Sequence, residues 1–383
     1  MKKLLIVHTR YQNIGGEDIA VENEIKSLSK FFKVDTLLFQ NDNQLNFRQI
    51  RYFLSNNNFD SIDQLNNKIS NFNPDVVYVH NTWFKGSLGI FKLLENKNVK
   101  TVIKLHNFRY LCTKNILSNK HLEGEQLCKA CGYTKRPLNI FNKYFKESFL
   151  KSVLILIYGK KYFKILKSSN FLLLVLTNFH KDKIKKLNGF KSKVFVHPNP
   201  IRFDLKTSVE EKSNSILYAG RISNEKGVDK LIESFQNAQL GDINLNILGD
   251  GPLLKKLRSK YNNFEKINFL GEQPNNKVLE LIEKSLLVVT ATRLYEGQPT
   301  LLCEASSLGI PSIFPNTGGI VEFFPKNYPL SYEQFDYLEL EKKLKIALDI
   351  SKLEEIGKQN KDFIQNYLNE KKLIDSFNMI IDG

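Results

Sequence analysis

The feature that most constrains the fold is a single stretch, residues 286–308, with the sequence LLVVTATRLYEGQPTLLCEASSL. It opens with a short apolar run that predicts a buried strand, and it closes with apolar residues at helical spacing. The turn between them contains Glu296, Gly297 and Gln298. Pro299 falls in the predicted first turn of the helix, where a missing backbone N–H is tolerated. The free N–H groups of such a helix end favour an anion, above all a phosphate.

Two glutamates, Glu296 and Glu304, flank the start of this predicted helix. Glu304 stands among apolar residues, where a carboxylate is costly unless it meets a partner. Because a carboxylate can accept hydrogen bonds from two hydroxyl groups at once, the hydroxyl pair of a ribose is a suitable partner. The alternative is that Glu296 is a solvated turn residue and that Glu304 lies on the exposed face of the helix.

Strand patterns separated by helix patterns fill both halves of the chain. The apolar runs that predict strands lie at 2–8, 33–39, 74–80, 100–106 and 171–177, and then at 215–221, 243–252, 266–273 and 286–290. This alternation predicts parallel sheets covered by helices on both faces. We therefore expect an α/β protein with two Rossmann-like domains, 1–200 and 201–365, that face each other across a cleft. A final helix is expected within 366–383.

Ligands bind beyond the carboxyl ends of the strands in such sheets. In the first half these positions hold His8, His80 and His106, together with a turn of Gly15 and Gly16 that lets a ligand approach the backbone.

The helix predicted after this turn spans 18–32, with Asp18 as its cap. Its predicted inner face consists of Ile19, Ile25, Leu28, Phe31 and Phe32.

In the second half, several predicted strands are followed by turns that contain glycine. The segment RISNEKG, 221–227, places Arg221 and Lys226 where two cations can neutralise a diphosphate. Gly249 opens the turn GDGP, and NTGG follows at 316–319. Each turn alone could be an ordinary surface turn, but their joint position at the strand ends of one sheet indicates a binding edge.

The alternation breaks down in 108–136, which we interpret as an insertion. It contains Cys112, Cys128 and Cys131, with His121 between the first two. This spacing could supply four zinc ligands, although it lacks the paired CxxC motifs of a strong zinc signature. The alternative is three thiols in a folded insertion that holds no metal.

Positive charge is concentrated in the first half of the chain. Residues 1–200 contain 33 Lys and Arg against 14 Asp and Glu, whereas residues 201–383 contain 23 against 26. Such a field favours an anionic partner, which could be nucleic acid, acidic lipid or a phosphorylated substrate. Within it, a predicted helix at 138–167 interleaves lysines with aromatic residues, a pattern that suits the surface of an acidic membrane. The alternative is a core helix with a solvated lysine face.

No apolar run approaches the roughly 20 residues of a membrane-spanning helix, and the N-terminal apolar run is too short for a signal peptide. Four cysteines without a signal indicate a reducing compartment. We therefore expect a cytoplasmic protein, with peripheral contact to the inner face of the cell membrane through the basic helix.

Four segments in order, GRISNEKG, ILGDGP, EGQPTLLCE and NTGG, resemble the second domain of the retaining GT-B enzymes of glycosyltransferase family 4. The resemblance extends over nearly the whole chain, because it includes the Gly-Gly turn, the VHN and LHN segments and the Asn-Pro pair before the hinge. It implies the GT-B fold, with a last helix that crosses back onto the first domain. It also implies transfer of a sugar from a nucleotide diphosphate-sugar to an acceptor hydroxyl in polysaccharide biosynthesis.

The resemblance further implies a role for individual residues. Arg221 and Lys226 would hold the donor diphosphate, and Glu304 would hold the ribose. Glu296, against the hydroxyls of the donor sugar, and His106, beside the reacting sugar, are the predicted catalytic residues. The other predicted donor contacts are Gly15, Gly16, Gly249, Gln298, Pro299, Thr300 and Leu301. Many relatives carry an aromatic residue where this chain has Gln298, so the resemblance does not fix the shape of the sugar pocket.

The chain contains no DxD pair flanked by a strand, so we expect no metal ion or other cofactor. Arg221, Lys226 and a helix end can stabilise the leaving diphosphate instead. The expected partners are a UDP- or GDP-sugar and a glycan or lipid-diphosphate-linked acceptor. Nucleic acid is not expected, because no aromatic and basic surface for base stacking is identifiable.

The alternatives are a GT-B nucleotide-sugar epimerase, a phosphorylase and a non-catalytic partner subunit. The lack of a pyridoxal-bearing lysine motif disfavours the phosphorylase. The four charged positions at 221, 226, 296 and 304 argue against an inactive subunit.

Overall fold

The computed structural model describes residues 1–11, 15–41, 52, 55–108, 110, 112, 128–132, 149–187, 189–201, 203 and 212–383. The chain divides into two units, Met1–Pro200 with Glu370–Gly383, and Ile201–Asn369. Each unit contains one six-stranded parallel sheet. The predicted fold class, an α/β protein with two Rossmann-like domains, is therefore confirmed.

The first unit alternates strands and helices along the chain. Its elements are β1 (Lys3–Arg10), α1 (Gly16–Leu28), β2 (Lys33–Gln40), α2 (Phe59–Phe72), β3 (Val76–Val79), α3 (Gly89–Asn96), β4 (Thr101–Leu105), α4 (Phe149–Ser168), β5 (Leu172–Val175), α5 (Asn178–Lys185) and β6 (Lys193–Val196). The strands lie in the order β2-β1-β3-β4-β5-β6, so the direction of chain progression reverses between β1 and β3. Strands β3 and β4 are buried along their whole length, as in parallel sheets covered by helices on both faces.

The second unit follows the same plan. Its strands and helices are β7 (Ser215–Ala219), α6 (Val228–Ala238), β8 (Asn244–Leu248), α7 (Leu254–Lys260), β9 (Ile267–Gly271), α8 (Asn275–Lys284), β10 (Leu287–Val289), α9 (Thr300–Ser307), β11 (Ser312–Asn316), β12 (Ser331–Glu333), α10 (Tyr337–Leu344) and α11 (Ile350–Tyr367). Short 3₁₀ turns lie at Asn224–Lys226, Ile320–Phe323 and Lys345–Leu348. The strand order is β12-β11-β10-β7-β8-β9, and the reversal falls between β7 and β10.

The stretch 286–308 folds as its pattern predicts, with β10 leading through a turn into α9. One detail of the prediction is wrong. Pro299 does not lie in the first turn of the helix but precedes it, with an extended backbone (φ −81°, ψ 91°). The helix begins at Thr300, so the proline ring sets the direction of entry.

Helix α1 differs from its prediction at both ends, since it begins at Gly16 and ends at Leu28. Asp18 is therefore not the cap residue; it lies within the first turn, and its carboxylate accepts a hydrogen bond from the Gly15 N–H at 2.8 Å. Phe31 lies beyond the helix and is 43% exposed. The inner face instead buries the polar residues Glu24 and Ser27, which apolar periodicity could not reveal.

The predicted basic helix at 138–167 is described only in part, because 138–148 lie outside the described residues. In α4 the side chains of Tyr158, Phe163 and Leu166 are buried in the core of the first unit. Among the lysines, those at 160, 161 and 164 are exposed. This part of the helix thus matches the alternative of a core helix with a solvated lysine face. Within the described residues, no helix combines the length and the apolar character needed to cross a membrane.

The final helix, α12 (Glu370–Asp382), belongs to the first unit. Phe377 is fully buried, and its ring centroid lies 5.2 Å from that of Tyr78, 5.7 Å from that of Phe32 and 5.5 Å from that of His197. At the start of the helix, Lys30 Nζ lies 2.8 Å from a carboxylate oxygen of Glu370. These contacts make α12 part of the hydrophobic core formed by β1, β3 and α1.

All six histidines of the chain lie within residues 1–200. Those at 8, 80, 180 and 197 are buried, and His106 is half-buried. Burial lowers the pKa of His80 and of His180 from 6.5 to about 3. Burial also lowers the pKa of His106 and of His197. The four imidazoles at 80, 106, 180 and 197 are therefore uncharged near neutral pH.

We expect Phe377→Ala to lower the free energy of unfolding of the first unit by about 3–5 kcal/mol, because it leaves a cavity among buried aromatic rings. Urea unfolding followed by tryptophan fluorescence measures this unit alone, since the one tryptophan of the chain is Trp83. Met379→Ala is the matched control on the same helix, because Met379 is 70% exposed. Equal unfolding midpoints for the two variants would contradict the packing of α12 in this core.

We also expect the first unit to lose stability as the pH falls below about 6.5. His80 and His180 have folded pKa values of about 3 against 6.5 ordinarily, so the unfolded chain takes up protons first. Their contribution is complete above pH 6.5 and is lost as the pH falls towards 3, at up to about 1.4 kcal/mol per pH unit for each imidazole. The measurement is the urea midpoint of Trp83 fluorescence between pH 7 and 5, a range above the titration of most carboxylates.

The second unit provides the internal control, because residues 201–383 contain no histidine. Its unfolding is the part of the far-UV circular dichroism transition that does not coincide with the Trp83 fluorescence transition. The urea midpoint of this part should stay constant between pH 7 and 5. A Trp83 midpoint that stays constant from pH 7 to 5 would show that the buried imidazoles do not couple folding to protonation.

Candidate active site

The predicted donor residues of the second unit gather where its strand order reverses. Strands β7 and β10 are parallel neighbours, with Leu217 paired with Val288, so both carboxyl ends lie on one edge of the sheet. The turn with Lys226 follows β7, and the turn with Glu296 follows β10. Such reversals leave a crevice beyond the strand ends, the usual ligand site of open α/β sheets.

Lys226 and Glu296 form an ion pair at this edge. Lys226 Nζ lies 2.5 Å from Glu296 Oε1, and the Thr292 hydroxyl donates a hydrogen bond to the same oxygen at 2.9 Å. The Lys226 and Glu296 side chains are 30% and 24% exposed. The pair is thus held in place but remains accessible to a ligand that could bind the cation.

Two glycines allow the turns of this edge to pack backbone against backbone. Gly227 has φ 67°, and a Cβ there would lie 2.0 Å from the carbonyl oxygen of Ala291. Gly318, in NTGG, has φ 63°, and a Cβ there would lie 2.3 Å from the carbonyl oxygen of Glu296. Any larger residue would push the turns apart. The predicted turns after β7, β10 and β11 are therefore brought together.

Arg293, which was not predicted from the sequence, ties the same turns together. Its Nη1 donates to Asn224 Oδ1 at 2.6 Å, and its Nη2 lies 3.0 Å from both carboxylate oxygens of Asp229. Its backbone N–H donates to the Glu225 carbonyl oxygen at 2.9 Å. The guanidinium fork and the backbone N–H of Arg293 together fix the 3₁₀ turn that carries Lys226. The available signal was an arginine four residues after a buried strand.

The other predicted donor residues surround this edge in different ways. Arg221 follows β7 but is exposed, and none of the ion pairs among the described residues involves it. Gly249 follows β8, with its N–H bonded to the Gly271 carbonyl oxygen at 2.8 Å. The segment 298–301, with Gln298, Pro299, Thr300 and Leu301, leads into α9 and is half-buried.

Glu304 is half-buried on the second turn of α9, between the buried Cys303 and Ala305. Burial raises the pKa of the Cys303 thiol well above its usual range, and the Glu304 charge adds to this effect. The carboxylate is therefore not on a fully solvated face, in contrast to the alternative interpretation of the sequence.

In the first unit, the predicted residues also meet where the strand order reverses. His8 Nε2 lies 2.8 Å from Asp18 Oδ1, and the other oxygen of Asp18 accepts the Gly15 N–H. His80 lies just after β3, and its Nδ1 is 3.0 Å from His106 Nε2, within hydrogen-bond distance. The Gly-Gly turn and three of the histidines thus form one connected edge.

A buried ion pair below this edge escaped the sequence analysis. Lys104 Nζ lies 2.9 and 3.0 Å from the two carboxylate oxygens of Glu24, and the Tyr78 hydroxyl donates to Glu24 Oε1 at 2.8 Å. Burial alone would raise the pKa of the Glu24 carboxyl, but the Lys104 charge, together with the interactions with His197 and His80, outweighs burial and holds that pKa well below its usual range. Removal of one partner from such a pair typically costs about 3–5 kcal/mol. The signal was a lysine within the apolar run KTVIKLH.

The three cysteines of the predicted insertion also lie together. The Sγ atoms of Cys112, Cys128 and Cys131 are all within 4.8 Å of one another. His121, the fourth ligand proposed from the sequence, lies outside the described residues.

The sequence of the second unit matches a known family. Residues 202–367 match the family described as "Glycosyl transferases group 1". Over 190 residues, which cover 45% of this chain and 46% of the relative, the sequence is 29% identical to the putative teichuronic acid biosynthesis glycosyltransferase TuaC of Bacillus subtilis. Over 124 residues, 31% of this chain and 34% of the relative, it is 32% identical to the amylovoran biosynthesis glycosyltransferase AmsD of Erwinia amylovora. These alignments span less than half of the length of either relative.

Solved structures share the fold over almost the whole chain. Sucrose-phosphate synthase from Thermosynechococcus elongatus aligns with a TM-score of 0.72 at 14% identity, over 99% of this chain and 98% of that chain. Anabaena HepE in complex with UDP-glucose aligns with a TM-score of 0.67 at 13% identity, over 100% of both chains. The second unit therefore carries a glycosyl transferases group 1 domain, and the chain has the fold of these two structures.

Proposed function

We propose that this protein is a retaining glycosyltransferase of family 4, which moves a sugar from a UDP- or GDP-sugar to a hydroxyl of a glycan or lipid-diphosphate-linked acceptor in cell-surface polysaccharide synthesis. The observation that carries the proposal is the Lys226–Glu296 pair at the strand-order reversal of a glycosyl transferases group 1 domain. The named functions of TuaC and AmsD, teichuronic acid and amylovoran biosynthesis, support a role in polysaccharide synthesis. The UDP-glucose complex of HepE supports a nucleotide-sugar as the donor.

The donor diphosphate is assigned to Lys226 and Arg221. Arg293 and Gly227 fix the turn that carries Lys226, while the exposed Arg221 side chain is able to move onto a phosphate. Glu304 is assigned to the ribose hydroxyls, because it is a half-buried carboxylate near the start of α9. Backbone groups of 298–301 and the free N–H groups of α9 supply neutral donors to the phosphate or the sugar.

Glu296 is assigned to the hydroxyls of the transferred sugar. When a diphosphate binds Lys226, the phosphate oxygens compete for the ammonium group that now pairs with Glu296 Oε1. The carboxylate, still held by the Thr292 hydroxyl, is then able to accept sugar hydroxyls. The ion pair thus keeps both groups in position until the donor binds.

His106 is assigned to the reacting sugar as a polar contact. Burial lowers its pKa well below the usual range, so the imidazole is neutral at physiological pH. Its Nε2 is engaged with His80 Nδ1 at 3.0 Å, and this contact fixes the ring. A neutral imidazole in a fixed orientation polarises or orients a hydroxyl without adding a charge.

In the proposed reaction, the bond between the anomeric carbon and the diphosphate oxygen breaks, and its electron pair stays on the diphosphate. The acceptor oxygen forms the new bond to the anomeric carbon on the same face, and its proton passes to the leaving diphosphate. The developing negative charge is stabilised by Lys226, Arg221 and the N-terminus of α9. Because these groups supply the positive charge, we propose transfer without a metal ion or other cofactor.

The first test is a thermal-shift screen of UDP- and GDP-sugars without added metal, since a ligand that binds the folded state raises the unfolding temperature. We expect one donor to stabilise the wild type and to be turned over with a glycan acceptor. Lys226→Ala should lose this stabilisation, and its turnover should fall by roughly 10²–10³-fold because a diphosphate charge is left uncompensated. Lys230→Ala is the control, since Lys230 pairs with Glu233 at 2.6 Å on α6.

The other outcomes of this test are informative. Near-normal turnover in Lys226→Ala would refute its assignment to the diphosphate. Conversion of the nucleotide-sugar without acceptor would identify an epimerase instead.

Glu304→Gln should weaken the binding of the free nucleotide diphosphate while the preference among sugars stays the same, and an unchanged nucleotide affinity would remove the ribose role.

We further propose a cytoplasmic location, with peripheral contact to the acidic inner face of the cell membrane through the exposed lysines of α4. The excess of basic residues in 101–200, 20 against 4 acidic, supports this contact. Each lysine close to an anionic surface contributes about 1 kcal/mol to binding.

Reversal of Lys160, Lys161 and Lys164 to glutamate should therefore reduce the affinity for anionic phosphatidylglycerol vesicles by roughly two orders of magnitude, as measured by co-sedimentation at low ionic strength. The control is the same reversal of Lys352, Lys358 and Lys361, which are exposed on α11 and change the net charge equally. An equal loss in both variants would show that net charge alone governs binding, and no loss in either would leave α4 a purely structural helix.

A further inference from the structure

The three thiols of the insertion have the geometry of a metal site. Cys112 and Cys128 are 6% and 5% exposed, and their Sγ atoms are 3.6 Å apart. This separation is far longer than the roughly 2.05 Å of a disulfide. Sulfur atoms bound about 2.3 Å from one tetrahedral ion lie roughly 3.8 Å apart. With Cys131, all three sulfurs fall within 4.8 Å of one another, so one ion can reach them with small side-chain adjustments.

The local backbone also suits a metal. Cys128 and Cys131 have the two-residue spacing found in zinc sites. The Gly132 N–H donates to the Cys128 carbonyl oxygen at 2.8 Å, which closes a single tight turn around the pair. Gly132 has φ 76°, a conformation that glycine adopts without steric cost. The turn therefore presents both thiols together. They face Cys112, which lies sixteen residues before Cys128 in the chain.

Apolar packing around the thiols is sparse. Among the described residues, the cluster contains Leu156 of α4 and, partly buried, Ala130 in addition to the three cysteines. It is separate from the three large hydrophobic clusters of the protein. Small structural elements without a sufficient core are commonly stabilised by a metal or by disulfides. The 3.6 Å separation of the Cys112 and Cys128 sulfurs fits a shared metal ion better than a disulfide.

The charge of the segment fits a thiolate-bound cation. Three thiolates on a divalent ion leave one net negative charge, and residues 108–136 contain six basic and two acidic residues. Thiolates are the form of cysteine that binds metal. Sulfur ligands in a tetrahedral arrangement favour zinc over magnesium or calcium, which prefer oxygen.

We propose that Cys112, Cys128 and Cys131 bind one Zn²⁺ ion, with water or another ligand in the fourth position. The ion anchors the segment that leaves the carboxyl end of β4 to helix α4 through Leu156. The same segment has a second anchor at His180. The Tyr110 hydroxyl contacts His180, and the ring centroids of Phe108 and His180 lie 4.2 Å apart. The zinc site is structural and does not depend on the proposed transfer reaction.

The test is the metal content of the full chain, purified without a histidine tag from zinc-supplemented cells and dialysed against metal-free buffer. We expect about one zinc per chain by plasma mass spectrometry. Cys112→Ser, Cys128→Ser and Cys131→Ser should each reduce this content at least tenfold. Cys303→Ser should keep it, because Cys303 is the remaining cysteine and lies in the second unit.

A second measurement covers the case in which a serine variant does not fold. The wild-type chain is exchanged with Co²⁺, whose sulfur-to-metal charge-transfer band in the near ultraviolet reports thiolate ligands directly. Titration with a mercurial reagent should then release the metal as the thiols react. Absence of zinc together with absence of the cobalt band would overturn the proposal. So would zinc retained in all three serine variants, or a Cys112–Cys128 disulfide in the freshly purified protein.

Discussion

Close backbone packing at glycine is the constraint on which the second unit depends. The turns that carry Lys226 and Glu296 follow strands that are adjacent in space but distant in sequence, and they approach so closely that a Cβ at Gly227 or Gly318 would overlap a carbonyl group. This packing sets the position of the ion pair before any ligand arrives. Preorganised charges of this kind lose little free energy to rearrangement when a negative charge develops beside them.

The two units place charge differently at equivalent positions. At the reversal of the second sheet the charges are partly exposed, as the 30% and 24% exposure of the Lys226 and Glu296 side chains shows. At the reversal of the first sheet the ion pair of Glu24 and Lys104 is buried, and neutral imidazoles lie above it. The first arrangement leaves a cation available to a ligand, whereas the second supports polar groups whose orientation is fixed. A buried pair of this kind holds geometry more than it adds stability.

Much of this architecture could be predicted from the sequence, because buried parallel strands are continuous apolar runs and their ends carry glycine and polar residues. The strand and the helix predicted within 286–308 are both present in the structure, and only the placement of Pro299 was wrong, by one position. The polar interior of the first unit could not be predicted in the same way. Glu24 and Lys104 are 80 residues apart in sequence, and each is typical of a solvated surface until the fold brings them together. Arg293 escaped for the same reason, since its partners lie on another turn.

The position of α12 has a consequence for how the protein is made. The first unit is interrupted by the whole of Ile201–Asn369, and its core needs Phe377 from the far side of that interruption. During synthesis the second unit is a continuous segment and is able to fold as soon as it has emerged, whereas the first unit stays incomplete until α12 has been translated. The half of the chain that emerges first is therefore the last to reach its final state. Until then the apolar surface around Phe32 and Tyr78 lacks its cover.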